Sequence, residues 1–241
     1  GWSNFPNDER YNDGWLIKTD AQGKEIWSHN FGDSKDDLIH SIVETGDGGY
    51  ILVGETISPV NGSYDGWLIK LNPDGQVLWS KSFGGDLQDV FFSVSTTKDG
   101  GYIIAGQTQL SDATDFDGWL LKVSSEGQEV WSRTYDTSIG DTLYKALETV
   151  DGGFILAGCT GTKDSSGFPC IDDGWVIKTD GQGQEVWSYT FGGKNPDAFN
   201  FVAQTDDGGY VLSGWASSTK TGEPTGWLLK LNDKEEAREK N

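Results

Sequence analysis

Aspartate recurs along this 241-residue chain at Asp37, Asp89, Asp141 and Asp197, at intervals of 52, 52 and 56 residues. Carboxylates gathered at one mouth of a channel could ligate Ca²⁺ through oxygen. A pair of them could act as the acid and base of a glycosidase. The same residues have a plainer use, accepting backbone N–H bonds to fix the turn that leads into a strand. Their recurrence in every copy of a repeat favours that plainer use. A second series, Asp13, Asp65, Asp117 and Asp173, carries the same two readings.

Aromatic residues form the next group. Trp2 and Trp215 stand where other copies hold Glu55, Gln107 and Cys159, so the scaffold itself does not require tryptophan there. An unshared ring near a loop face suits sugar stacking or a partner contact, or else fills a gap between sheets. Tyr64, Phe116 and Phe168, in long and variable loops, are candidates on the same face. Lys18, Lys70, Lys122, Lys178 and Lys230 recur as a set and are expected to bury their stems and pair their heads with carboxylates. Cys159 and Cys170 flank the longest insertion; a disulfide closing this loop is the first expectation, with two free thiols as the alternative.

Few enzyme classes survive. No Gly-x-Ser-x-Gly, phosphate-binding glycine loop or histidine-rich metal motif is present. His29 and His40 sit in unrelated surroundings, and packing is the default role of His40. The formal charge of −20 argues against a nucleic-acid partner. No apolar run approaches the roughly 18 residues of a membrane span. A disulfide and the sequon Asn61-Gly62-Ser63 agree with an extracellular or cell-surface location.

What must position these residues is a repeat. Asp-Gly-Trp begins at residues 13, 65, 117 and 173, with Thr225-Gly226-Trp227 as a fifth, altered copy. The intervals are 52, 52, 56 and 52 residues. Trp-Ser keeps the same period at Trp27, Trp79, Trp131 and Trp187, as does Asp-Gly-Gly-aromatic from Asp47, Asp99, Asp151 and Asp207. Each period reads as four strands: in one copy A covers 90–97, B 101–107, C 118–123 and D 129–135. A glycine turn joins A to B, and a four-residue turn ending in glycine joins C to D. Strand C is almost wholly apolar, so both of its faces should be covered by neighbouring sheets. That is the pattern of an all-β propeller blade.

Phe-Gly-Gly, Asp, strand, Thr, Asp-Gly-Gly-Tyr and Asp-Gly-Trp-Leu-Ile-Lys-Leu together resemble the β-propeller repeats of secreted bacterial and archaeal proteins, often called SBBP-type. The Gly-x-x-x-Trp segment on strand D is also similar to the docking segment of quinoprotein-like propellers. The resemblance implies a propeller fold over nearly the whole chain and carries no quinone or electron-transfer residues with it.

The expected architecture is one propeller domain over residues 1–232, followed by a polar tail over residues 233–241. Four blades would close by strand exchange, the last taking its strand D from the N-terminal end, or the chain would form part of a larger ring. Strand C is then present once too often, at 14–19 and 226–231, which leaves a surplus strand available for self-association. The expected function is an exported, non-enzymatic binding module that recognises a glycan or protein partner through the B–C and D–A loop face. A glycoside hydrolase or lyase with channel-mouth carboxylates and a structural surface-assembly subunit are the alternatives. No cofactor is expected beyond Ca²⁺ at the recurring aspartates.

Overall fold

The computed structural model describes residues 2–5, 8–32, 35–110, 115–137, 140–161, 173–217 and 222–232, with side chains from residue 12 onward. Its strands follow the repeat. The first sheet comprises β1 (Trp2–Phe5), β2 (Asp8–Thr19) and β3 (Glu25–Phe31). The second comprises β4 (Asp37–Glu44), β5 (Tyr50–Ile57), β6 (Tyr64–Leu71) and β7 (Val77–Phe83). The third runs through β8 (Asp89–Thr96), β9 (Tyr102–Thr108), β10 (Asp117–Val123) and β11 (Glu129–Tyr135). The fourth contains β12 (Thr142–Glu148), β13 (Phe154–Thr160), β14 (Asp173–Thr179) and β15 (Glu185–Phe191). The fifth contains β16 (Asp197–Gln204), β17 (Tyr210–Ser217) and β18 (Pro224–Leu231).

Within each sheet consecutive strands pair antiparallel in sequence order. Expected strands C and D of the third sheet match β10 and β11 to within one residue. The C–D turns end on left-handed glycines, Gly23, Gly75, Gly127 and Gly183, with φ of 67–80°. In the A–B turns only the first glycine is left-handed, as at Gly100 (φ 83°). The second, Gly101, is needed for another reason: a Cβ there would lie 2.4 Å from Val123 O and from Lys122 Nζ.

Sheets stack face to face, and one rule repeats at every junction. On strand C, tryptophan and the next-but-one apolar residue face the preceding sheet, while leucine and lysine face the following one. Ile51, Val53 and Leu68 of the second sheet thus pack against Trp119, Leu121 and Val123 of the third. Ile103, Ala105 and Leu120 do the same against Trp175 and Ile177. The first strands β4, β8, β12 and β16 lie beside one another, and the fourth strands lie away from them, so the sheets fan about their first strands. This is an all-β, propeller-like arrangement of repeated four-stranded antiparallel sheets.

The expected strand exchange is not formed. β3 pairs with β2, Trp15 opposite Asn30, and among the described residues β18 pairs with β17 alone. The reason is local: the four-residue turn Asp20–Gly23 holds β3 beside β2, whereas pairing with β18 would require closing a loop of about the whole chain. The described residues show no packed junction between the fifth sheet and the first. The tail at 233–241 lies outside the described residues.

Candidate functional site on the inner loop edge

Each first strand carries an irregularity at the same place. The ladder skips one residue between Ile39 and Ser41, Phe91 and Ser93, Leu143 and Lys145, and Phe199 and Phe201. The residue left out of the ladder is His40, Phe92, Tyr144 or Asn200. A bulge re-aims the side chain it carries, and here it aligns rings from neighbouring sheets. His40 and Phe92 lie 5.6 Å apart between centroids, and Phe92 and Tyr144 lie 5.3 Å apart. An aromatic arc thus crosses three sheets.

Polar groups border the arc at its open end. Glu55 Oε1 lies 3.6 Å from His40 Nε2. Tyr64, at the start of β6, is half-buried, and burial raises its phenol pKa, with the charges of Asp36, Glu55 and Asp37 adding to the effect. At the other end Tyr144 and Trp215 pack against Cys159 and Ala198. Burial also raises the Tyr144 phenol. Nearby, Lys145 donates to Ser95 Oγ at 3.0 Å, and burial lowers its pKa. The repeat places His40, Phe92 and Tyr144 at one equivalent position, 52 residues apart, and assigns them to packing; the bulge that aligns them is invisible in an alternating pattern.

The candidate residues fare differently. Tyr64 lies beside the arc and Trp215 borders it. Phe116 is only 7% exposed, and its carbonyl accepts the Asp141 N–H at 2.6 Å, so it serves packing and loop closure. The Trp2 side chain, Phe168 and Cys170 lie outside the described residues. Cys159, fully buried in β13, is disulfide-bonded.

The recurring aspartates are withdrawn from solvent: Asp37 is 2% exposed, Asp89 1%, Asp141 0% and Asp197 3%. Their oxygens fix loops. Asp89 accepts from Gly85 N at 2.8 Å and from the Thr108 hydroxyl. Asp141 accepts from Thr137 N at 2.7 Å, and Asp197 from Gly193 N and Ser217 N at 2.9 Å each. The second series meets the first across a glycine. A Cβ on Gly84 would lie 2.3 Å from Asp89 Oδ2 and 3.1 Å from Asp65 Oδ1, and Gly32 and Gly192 separate the corresponding pairs. Burial raises the pKa of Asp65 and of Asp89. Asp117 is pushed up to about 6 by burial and then by the charges of Asp136, Asp115 and Asp141. Among the described residues no three His, Cys, Asp or Glu side chains are arranged to hold a metal ion.

At the opposite end of the second to fifth sheets the recurring lysine finds its carboxylate in the A–B turn, whereas Lys18 of the first sheet reaches Pro73 O at 3.5 Å and lies 5.5 Å over the Tyr50 ring. Lys70 Nζ donates to Asp47 Oδ1 at 2.9 Å and to Thr45 Oγ1 at 2.5 Å. Lys122 pairs with Asp99 and Lys178 with Asp151 in the same way.

No family model matches the chain, and no curated protein matches it. Among solved structures, the chain is similar to a mannose phosphorylase from Leishmania mexicana solved in complex with phosphate ion. The identity is 10%, the alignment covers 90% of this chain and 73% of the other, and the TM-score is 0.44.

Proposed function

We propose that the chain is an exported recognition module that binds a glycan along the inner loop edge of its stacked sheets. One observation carries this reading: His40, Phe92 and Tyr144 leave the strand ladder at equivalent bulges and line up about 5.5 Å apart. Rings in a row offer apolar faces to the C–H face of sugars, while Glu55, Tyr64 and His40 supply hydrogen-bonding groups at the open end. The buried, loop-fixing aspartates fit binding better than hydrolysis, since a glycosidase acid and base must reach their substrate. The disulfide-bonded Cys159 and the sequon at Asn61 fit export.

An oligosaccharide array tests the proposal, with titration calorimetry on the best-bound sugar for wild type, Phe92→Ala and Tyr144→Ala. Loss of at least about tenfold in affinity for either variant, with the circular dichroism spectrum unchanged, is the expected result. Undiminished binding by both variants, or no oligosaccharide bound at all, removes the reading. Turnover of a bound oligosaccharide that disappears in Asp117→Asn would favour the hydrolase instead, since Asp117 has the raised pKa of an acid.

A further inference from the structure

We infer that the fifth sheet docks onto the first sheet of a second copy of this chain, head to tail. Four junctions inside the chain define how its sheets meet, and the two outer faces are the unmatched halves of a fifth. On the following-sheet face, Leu68, Leu120 and Val176 are each 0% exposed, whereas the equivalent Leu228 is 72% exposed. The recurring lysine behaves alike: the side chains of Lys70, Lys122 and Lys178 are 7% exposed, and that of Lys230 is 38% exposed. On the preceding-sheet face, Ile69 is 1% exposed and Leu121 and Ile177 are 0%, but Ile17 is 41%. Trp119 and Trp175 are 7% and 2% exposed, and Trp15 is 40%.

The two faces are therefore complementary by construction. Trp15 and Ile17 of one copy would meet Val211, Leu228 and Lys230 of another, as Trp119 and Leu121 meet Ile51 and Leu68 within the chain. Each copy has one face of each kind, so the contact is heterologous. It is also narrower than the internal junctions. The socket at Gly66, which a Cβ would close against Phe91 at 2.7 Å, is filled by a first strand; the equivalent Gly226 has nothing within 4 Å. Among the described residues the first sheet carries no such strand to fill it, so the interface rests on β2 against β17 and β18. A small interface of this kind gives weak, concentration-dependent association.

Sedimentation velocity of the full chain, from about 1 to 200 μM, tests the inference. The wild type should associate as concentration rises. Leu228→Lys and Ile17→Lys, both at exposed positions, should each remain monomeric with an unchanged circular dichroism spectrum. Mixed, they should form a one-to-one dimer, because the intact fifth sheet of the Ile17 variant meets the intact first sheet of the Leu228 variant. A wild type monomeric at every concentration overturns the inference, and so does association that survives Leu228→Lys. Gly226→Ala should associate normally; its failure to do so would mean that a first strand seats there, and would equally overturn this arrangement.

Discussion

Lys122 Nζ lies 2.9 Å from Asp99 Oδ1, and the same carboxylate oxygen accepts the Gly101 N–H at 3.0 Å and the Thr97 hydroxyl at 2.6 Å. A single turn thus neutralises the charge that strand C would otherwise bury between two sheets. Asp99→Ala leaves a buried ammonium with Thr97 and a carbonyl, and should destabilise the protein by about 1–3 kcal/mol. The loss falls below that of a fully buried pair because the carboxylate itself is largely solvated. Lys122→Met, which removes the charge and keeps the stem, should cost less. Urea unfolding midpoints of the two variants give the comparison.

Stability should have a maximum in mildly acidic solution. Hydrogen bonds and the paired lysine hold Asp99 at about 2, and Asp151 also sits at about 2, against an ordinary value of 3.8. Their contribution is present above 3.8 and is lost as pH falls toward 2. Asp117 works in the opposite sense. With its folded pKa raised to about 6, the protein loses stability as pH rises from 3.8 to about 6, above which the carboxyl is ionised whether folded or unfolded. Thermal midpoints measured from pH 2 to pH 8 should rise to a maximum at about pH 4, decline up to about pH 6, then level off. Asp117→Asn should flatten the decline on the alkaline side.

The glycine of the Asp-Gly-Trp motif should matter at an inner junction and not at the outer one. A Cβ at position 66 would stand 2.7 Å from the Phe91 ring, while position 226 opens on free space. Gly66→Ala should destabilise by about 1–3 kcal/mol through overpacking. Gly226→Ala should change the unfolding midpoint little. Equal effects in differential scanning calorimetry would refute the packing account.

Two phenylalanines on one strand offer a similar contrast. Phe199 is fully buried and stacks on Trp227 at 4.4 Å, whereas Phe201 is 49% exposed. Phe199→Ala should cost about 3–5 kcal/mol, and Phe201→Ala well under half of that. Chemical denaturation distinguishes them directly.

Much of this arrangement is legible in the residues alone. Alternating apolar positions, Asp-Gly-Gly turns and glycine-ended hairpins define strands and their local pairing, because those preferences act over a few residues. The lysine–aspartate pairing is equally readable, since both groups belong to one sheet. The aromatic arc is legible only as a repeat position shared by His40, Phe92 and Tyr144, because the one-residue bulge that shifts them out of register does not alter composition.

Leu68 and Leu228 show where sequence stops. Both stand in the same Gly-Trp-Leu context, yet one is 0% exposed and the other 72%. Burial belongs to the neighbour as much as to the residue, and whether a neighbouring sheet is present is settled only when the sheets stack. The same holds for β3, which the repeat pattern permits beside either of two third strands and which a four-residue turn commits to the nearer one. Local chemistry wrote the strands and turns; the stacking of sheets decided which apolar faces were covered, which rings met, and which surfaces were left to receive something else.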